Sequence, residues 1–285
     1  MKDVCGARIA EYVIQAELAA RSTELAYRAT HRVLPRCARV AILNPAFVGN
    51  GRAEVHLMRE AYILETLHHS GVPRVFECGE LDDRPWIATE YVDGASIAEP
   101  VARRPLPISD VLAIVRDAAQ VLAHAHSRGV VHRNLSARAI ARAPARGFPI
   151  CITEWGEASI AEAGDAAGEG HADVFALGAI MLEATTRESP GPVRKLPGVP
   201  GAVSRLLEAM VSPDPDDRPT APGVCAEAGR LADVFADGDA AIEEVEVELV
   251  DISQCPAQVS RLGWMPRDLR ASFRGDTLPR RRRAP

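Results

Sequence analysis

His126-Ser127-Arg128-Gly129-Val130-Val131-His132-Arg133-Asn134-Leu135 stands at the end of a helical pattern and carries more information than any other stretch of the chain. Upstream of it Val111, Leu112, Val115, Leu122 and Ala123 fall on one apolar stripe, with Ser109 as the candidate N-cap and Gly129 as the stop. His132 within it reads as a core histidine satisfied by backbone groups, and His126 and the preceding His124 as surface or packing residues.

Working outward, the N-terminal side alternates short apolar runs with polar breaks. Tyr12-Val13-Ile14, Leu25-Ala26-Tyr27 and Val40-Ala41-Ile42 suit strands of an antiparallel sheet. Leu57, Ala61, Leu64 and Leu67 then recur at three or four residues, and Glu60 shares their face, so the spacing predicts a helix with one carboxylate aimed inward. Val75-Phe76 and Trp86-Ile87-Ala88-Thr89 read as further strands before the turn signal Asp93-Gly94. Downstream, a helix is expected after Asp173. Its apolar residues, Val174, Phe175, Leu177, Ile180, Met181 and Leu182, cover too many sides for a surface helix.

The chain of 285 residues is 47% hydrophobic and 25% charged, which places it among soluble globular proteins. A net charge of −6 gives no general attraction to nucleic acid or to an anionic membrane surface. Six scattered cysteines without a Cys-x-x-Cys pair indicate neither zinc nor a disulfide framework. No apolar run has the length of a spanning helix, so a cytoplasmic location is expected. Toward the end, Glu243, Glu244, Glu246 and Glu248 alternate with Val245, Val247 and Leu249, predicting a strand with one acidic face. The run Arg280 to Arg283 reads as a solvated, disordered tail, with an electrostatic contact to an acidic partner as the alternative.

The 126–135 stretch closely resembles the helix end and catalytic loop of bacterial Ser/Thr protein kinases, and other landmarks follow in the kinase order. Arg39-Val40-Ala41-Ile42-Leu43 resembles the strand that bears the nucleotide-binding lysine, and Arg59-Glu60-Ala61 the αC helix. Thr89-Glu90-Tyr91-Val92 looks like the hinge, Glu154-Trp155-Gly156 the Asp-Phe-Gly site, Asp173 to Gly178 the buried αF helix, and Asp217-Arg218-Pro219 the segment with the late arginine. The resemblance implies an α+β, two-lobed fold: a β-rich N-lobe over 1–92, a helical C-lobe over 93–235, and a C-terminal extension over 236–285.

Phosphoryl transfer in this family rests on positioning and charge neutralisation, and the resemblance puts unsuitable residues at the charged positions. Leu43 falls where the lysine is expected, leaving Glu60 without its partner; a cation relocated to Arg21 is the alternative. Asn134 replaces the base, and a neutral amide cannot accept the proton. Ser136 and Ala139 stand for the loop lysine and the metal-binding asparagine, and Glu154 for the metal-binding aspartate. Ala19, Arg21 and Glu24 fill the glycine-rich loop, and Glu24 adds negative charge near the phosphates. A residual adenine pocket would comprise Ala26, Ala41, Thr89, Glu90 and Val92. Glu60, Leu64, His132, Trp155, Asp173 and Arg218 match positions that hold the family's fold.

The expectation is therefore a pseudokinase that binds another protein, an active kinase or a regulator, as a scaffold or allosteric partner. No cofactor is expected, ATP or ADP binding should be weak or absent, and magnesium should not bind. The alternatives are a divergent ATP-dependent kinase or nucleotidyl transferase using Glu154 and a relocated arginine, or a nucleotide sensor without turnover.

Overall fold

The computed structural model describes residues 5–18, 22–144, 146–160, 166–186 and 198–236. The expected acidic strand and arginine run, with Ala19 and Arg21, lie outside these residues. No helix among the described residues is long and apolar enough to cross a membrane.

Alternation of apolar and polar residues builds a six-stranded antiparallel sheet from β1 (Arg8–Ile9), β2 (Tyr12–Glu17), β3 (Glu24–His31), β4 (Cys37–Leu43), β5 (Val75–Leu81) and β6 (Arg84–Glu90), in the order β1-β2-β3-β4-β6-β5. The pleat sorts the central strand β4 into two layers. Val40 and Ile42 pack with Tyr12, Tyr27 and Trp86 on one face, whereas Ala41 and Leu43 point to the other. That second face is covered by α1 (Gly51–Leu67), which Asn50 caps by accepting a hydrogen bond from the Ala53 amide. Leu57 and Ala61 of α1 join Ala41, Leu43 and Ile87, and Glu60 is carried inward on the same face at 5% exposure.

The remainder is helical: α2 (Ala98–Arg103), α3 (Ile108–His126), α4 (Ala166–Thr186), α5 (Gly201–Met210) and α6 (Ala221–Ala236). Between them lie the short strands β7 (Val130–Val131), β8 (Ile140–Arg142), β9 (Ile150–Ile152) and β10 (Ser159–Ile160), which pair β7 with β10 and β8 with β9. The α3 stripe and the inner face of α4 form one core with α5 and α6. This is the two-lobed, kinase-like α+β fold, and the 132–139 loop emerges at the cleft between sheet and helices.

Two helix starts differ from expectation. Helix α3 begins at Ile108, with the extended Pro107 at the cap position, so Ser109 lies inside the first turn. Helix α4 begins at Ala166, ahead of Asp173, and therefore contains Gly170, where a Cβ would approach His126 Nδ1 to 2.8 Å. Gly178 serves the same purpose against α5: a Cβ there would meet Val211 Cγ1 at 2.8 Å and Met210 Cβ at 2.9 Å. Gly178→Ala should destabilise the fold by about 1–2 kcal/mol, because overpacking outweighs the helix propensity gained. A lower urea midpoint at unchanged m-value is the expected readout, and a raised midpoint would contradict the packing argument.

Candidate functional site

A buried carboxylate organises the loop. Asp173 of α4 is 1% exposed. Its Oδ2 accepts from the His132 amide and from His126 Nε2, both at 2.8 Å, and its Oδ1 accepts from the Arg133 amide at 2.8 Å. Burial pushes the Asp173 pKa up, but the His126 hydrogen bond and the nearby histidines and amides prevail and hold it below the ordinary value. His126 is thus a half-buried partner of Asp173 as well as a packing residue. The bonds to consecutive amides hold Arg133 at φ 64, in the left-handed region.

His132 is fully buried; its Nε2 donates to the Thr153 carbonyl at 2.9 Å, and its Nδ1 accepts the Asn134 amide at 3.3 Å. Its ring meets Trp155 edge-on at 4.6 Å, and the Trp155 indole donates to the Ile152 carbonyl at 2.8 Å. Leu64 from α1 lines the cleft beside Trp155. Arg218 donates to the carbonyls of Ser212, His171 and Pro213 and stacks over Phe175.

The cleft has a volume of about 350 Å3, and its walls include Glu24, Arg39, Glu60, Thr89, Val92 and Glu154. Here the structure corrects an expectation. Leu43 is fully buried against Leu57 and Ala53 of α1, and does not face the cleft. A cation that meets Glu60 is Arg39, four residues earlier on the same face of β4. Arg39 Nη1 lies 3.6 Å from Glu60 Oε1, and its Nη2 lies 2.7 Å from Glu24 Oε1. Glu60 therefore has an arginine partner in Arg39; Arg21 lies outside the described residues, and Arg28 stacks over Tyr91.

The surroundings of Arg39 are strongly acidic. Glu24 and Glu60 are 2% and 5% exposed, and the Arg39 side chain is three-quarters buried. Burial works against the guanidinium charge, but the carboxylates of Glu60 and Glu24, with Glu154 beyond them, more than compensate and raise its pKa. Arg39 thus faces two carboxylates in direct contact and a third nearby.

The adenine pocket is only partly assembled. Thr89, Glu90 and Val92 line the cleft. Ala26 and Ala41 do not: they pair across β3 and β4, both buried, and Ala41 packs on α1. The Glu90 carboxylate turns to Arg146 at 2.5 Å and Arg74 at 3.4 Å, both outside the hinge backbone.

Asn134 is exposed and Ser136 half-buried on the loop. Ala139 is fully buried, its carbonyl accepting from the Thr153 amide and hydroxyl at 2.8 and 3.1 Å, so only a methyl stands where a metal-binding oxygen was sought. Glu154, exposed and at φ 64, keeps a carboxylate at the cleft. Among the described residues no three His, Cys, Asp or Glu side chains converge to hold a metal ion.

Comparison with known proteins places this geometry. Residues 36–151 match the family model described as protein tyrosine and serine/threonine kinase. The chain is 31% identical over 134 residues to serine/threonine-protein kinase PknI of Mycobacterium tuberculosis, covering 46% of this chain and 23% of that protein. It is 24% identical over 244 residues to PknJ of the same organism, covering 78% of this chain and 41% of PknJ. The chain thus spans less than half the length of either relative. A crystal structure of the Mycobacterium tuberculosis PknI kinase domain superposes with a TM-score of 0.63 at 24% identity, over 81% of this chain and 99% of that one. The fold is that of a protein kinase domain.

Two outcomes follow. Arg39→Met should cost about 3 kcal/mol, because the buried Glu24 then loses the guanidinium that meets it at 2.7 Å; adding Glu24→Gln should recover at least half in a double-mutant cycle by urea unfolding. Asp173→Asn should cost about 3 kcal/mol or more at pH 7. The folded pKa of Asp173 is depressed, so its contribution is full above its unfolded value near 4 and is lost as pH falls through the folded value. The parent should consequently lose stability below about pH 4 more steeply than the Asp173→Asn variant.

Proposed function

We propose that this kinase-fold chain acts without phosphoryl transfer, as a protein-binding or allosteric module in signalling. The observation that carries the proposal is the capture of Arg39 by Glu24. In the kinase chemistry that the fold suggests, the cation of this strand neutralises nucleotide phosphates. Here a carboxylate of the chain already occupies that cation at 2.7 Å, and Glu60 shares it. A triphosphate entering the cleft has to displace Glu24 or sit beside it. A like-charge contact at 4 Å costs about 1–4 kcal/mol across the range of effective dielectric from water to protein surface.

Two further features agree. Asn134 lacks a basic site near neutral pH, and Ala139 offers no metal-binding side chain. The kept elements, from the Asp173 bonds to the His132–Trp155 contact, maintain the fold and its surfaces. Partners on this reading are proteins, an active kinase or a regulator, and neither nucleotide nor magnesium is required.

The second reading is a divergent kinase. It is favoured by one specific contact, Arg39 with Glu60, which couples strand and helix as an ion pair in the cleft. It is favoured too by the similarity to PknI and PknJ, both described as serine/threonine-protein kinases.

The readings separate in one experiment. Thermal unfolding of the purified chain is measured with ATP, ADP and adenosine, with and without magnesium, beside an assay of labelled phosphate transfer. The proposal expects no shift above about 1 °C and no transfer. A magnesium-dependent shift with ATP accompanied by transfer would overturn it. Glu24→Gln, which removes one of the two carboxylates paired with Arg39, should strengthen nucleotide binding without producing transfer while Asn134 and Ala139 remain.

A further inference from the structure

The outer face of α1 carries a second set of apolar residues, of which Met58 is partly packed against the core beneath the helix. Val55, Met58 and Tyr62 recur there at i, i+3 and i+7, opposite the buried stripe of Leu57, Ala61 and Leu64. Val55 is 58% exposed, Tyr62 63% and Val48, in the preceding loop, 47%; these are three of the seven large apolar side chains exposed among the described residues. They line one groove of about 870 Å3, closed on its far side by the end of β5 and the turn into β6. Asp82 and Asp83 form that turn with φ of 51° and 56°, the paired left-handed geometry of a tight hairpin, which sets Asp83 at the rim. Glu54, Glu80 and Asp83 line the groove, with Arg59 as the basic residue of its lining. An apolar floor under an acidic rim suits a segment that is both apolar and basic.

The chain contains such a segment. Residues 261–285 hold eight arginines against two aspartates, interleaved with Trp264, Met265, Leu269, Phe273 and Leu278. Since the whole chain carries −6 and this segment +6, residues 1–260 carry −12. We propose that the groove over α1 is the docking site for the chain's own segment 261–285. Met265, Leu269 and Phe273 recur at four-residue steps, equal in number to the three apolar positions of α1, which are three and four residues apart. The arginines between and after them supply the charge that Glu54, Glu80 and Asp83 attract.

Length permits it. Helix α6 ends at Ala236, and the residues from 237 to 260 reach about 80 Å when extended and about 27 Å as a random coil. A folded body of this size has a radius of gyration of about 17 Å. Tethering at that distance gives an effective concentration in the millimolar range, which favours the segment over a free competitor. The intervening Glu243, Glu244, Glu246 and Glu248 share the sign of the rim and do not compete for it.

The test uses the full chain with Tyr62 replaced by the photocrosslinker p-benzoylphenylalanine, in an equal mixture of isotopically light and heavy protein. Irradiation should join position 62 to residues within 261–285 of the same chain. The yield should fall at least five-fold in Glu54→Lys/Asp83→Lys, in Leu269→Ser/Phe273→Ser, and at 0.5 M salt. In the chain without the crosslinker, tryptic cleavage after Arg270 and Arg274 should be several-fold faster in Glu54→Lys/Asp83→Lys than in the parent. Adducts between light and heavy chains would assign the groove to a second copy and overturn the proposal. So would adducts mapping outside 261–285, or a cleavage rate indifferent to the rim charges in variants with unchanged thermal midpoint.

Discussion

A single buried carboxylate carries the geometry of the helical lobe into the cleft. Asp173 is almost completely removed from water, so its charge is tolerable only while His126 and two consecutive backbone amides donate to it. Those amides belong to His132 and Arg133, and their anchoring fixes where the loop passes under the sheet. His132 then holds Trp155, and Trp155 stands beside Leu64 of α1, so one chain of contacts runs from the centre of α4 to the helix of the other lobe. This chain of contacts is built from burial and backbone hydrogen bonds, so it holds the two lobes together independently of what the cleft does.

The cleft shows how charge can be balanced internally. In water Glu24 and Arg39 would gain little from meeting, but on the inner face of a sheet each would be costly alone. The pairing therefore ties β3 to β4 and, through Glu60, both strands to α1. The same contact that stabilises the lobe lowers the positive potential open to an anionic ligand.

Much of this was legible in the sequence because periodicity reports burial directly. The spacing of Leu57, Ala61, Leu64 and Leu67 located α1 and turned Glu60 inward, and the 126–135 stretch with Asp173 located the loop and its anchor. The arginine was misplaced for a physical reason. Arg39, Ala41 and Leu43 all lie on one face of β4, since side chains alternate, so pattern alone could not say which of them opens to the cleft and which is covered by α1. Only the approach of Glu60 decides it. Glu24 was recognised as a negative charge near the cleft mouth, but its partner lies across a strand pair whose register no local signal specifies. His126 was read as packing, although a histidine one helical end away from a buried aspartate could have been matched to it once α4 was seen to start early.

The Glu24 contact differs from a bound nucleotide in one respect that reaches beyond the cleft. A diffusible ligand holds a lobe arrangement only in proportion to its concentration, so the arrangement follows the supply of that ligand. A carboxylate built into the chain is present at a constant effective concentration. A lobe arrangement held by such a contact does not depend on the supply of any ligand, and shifts when something with a stronger claim on Arg39, or on α1, arrives.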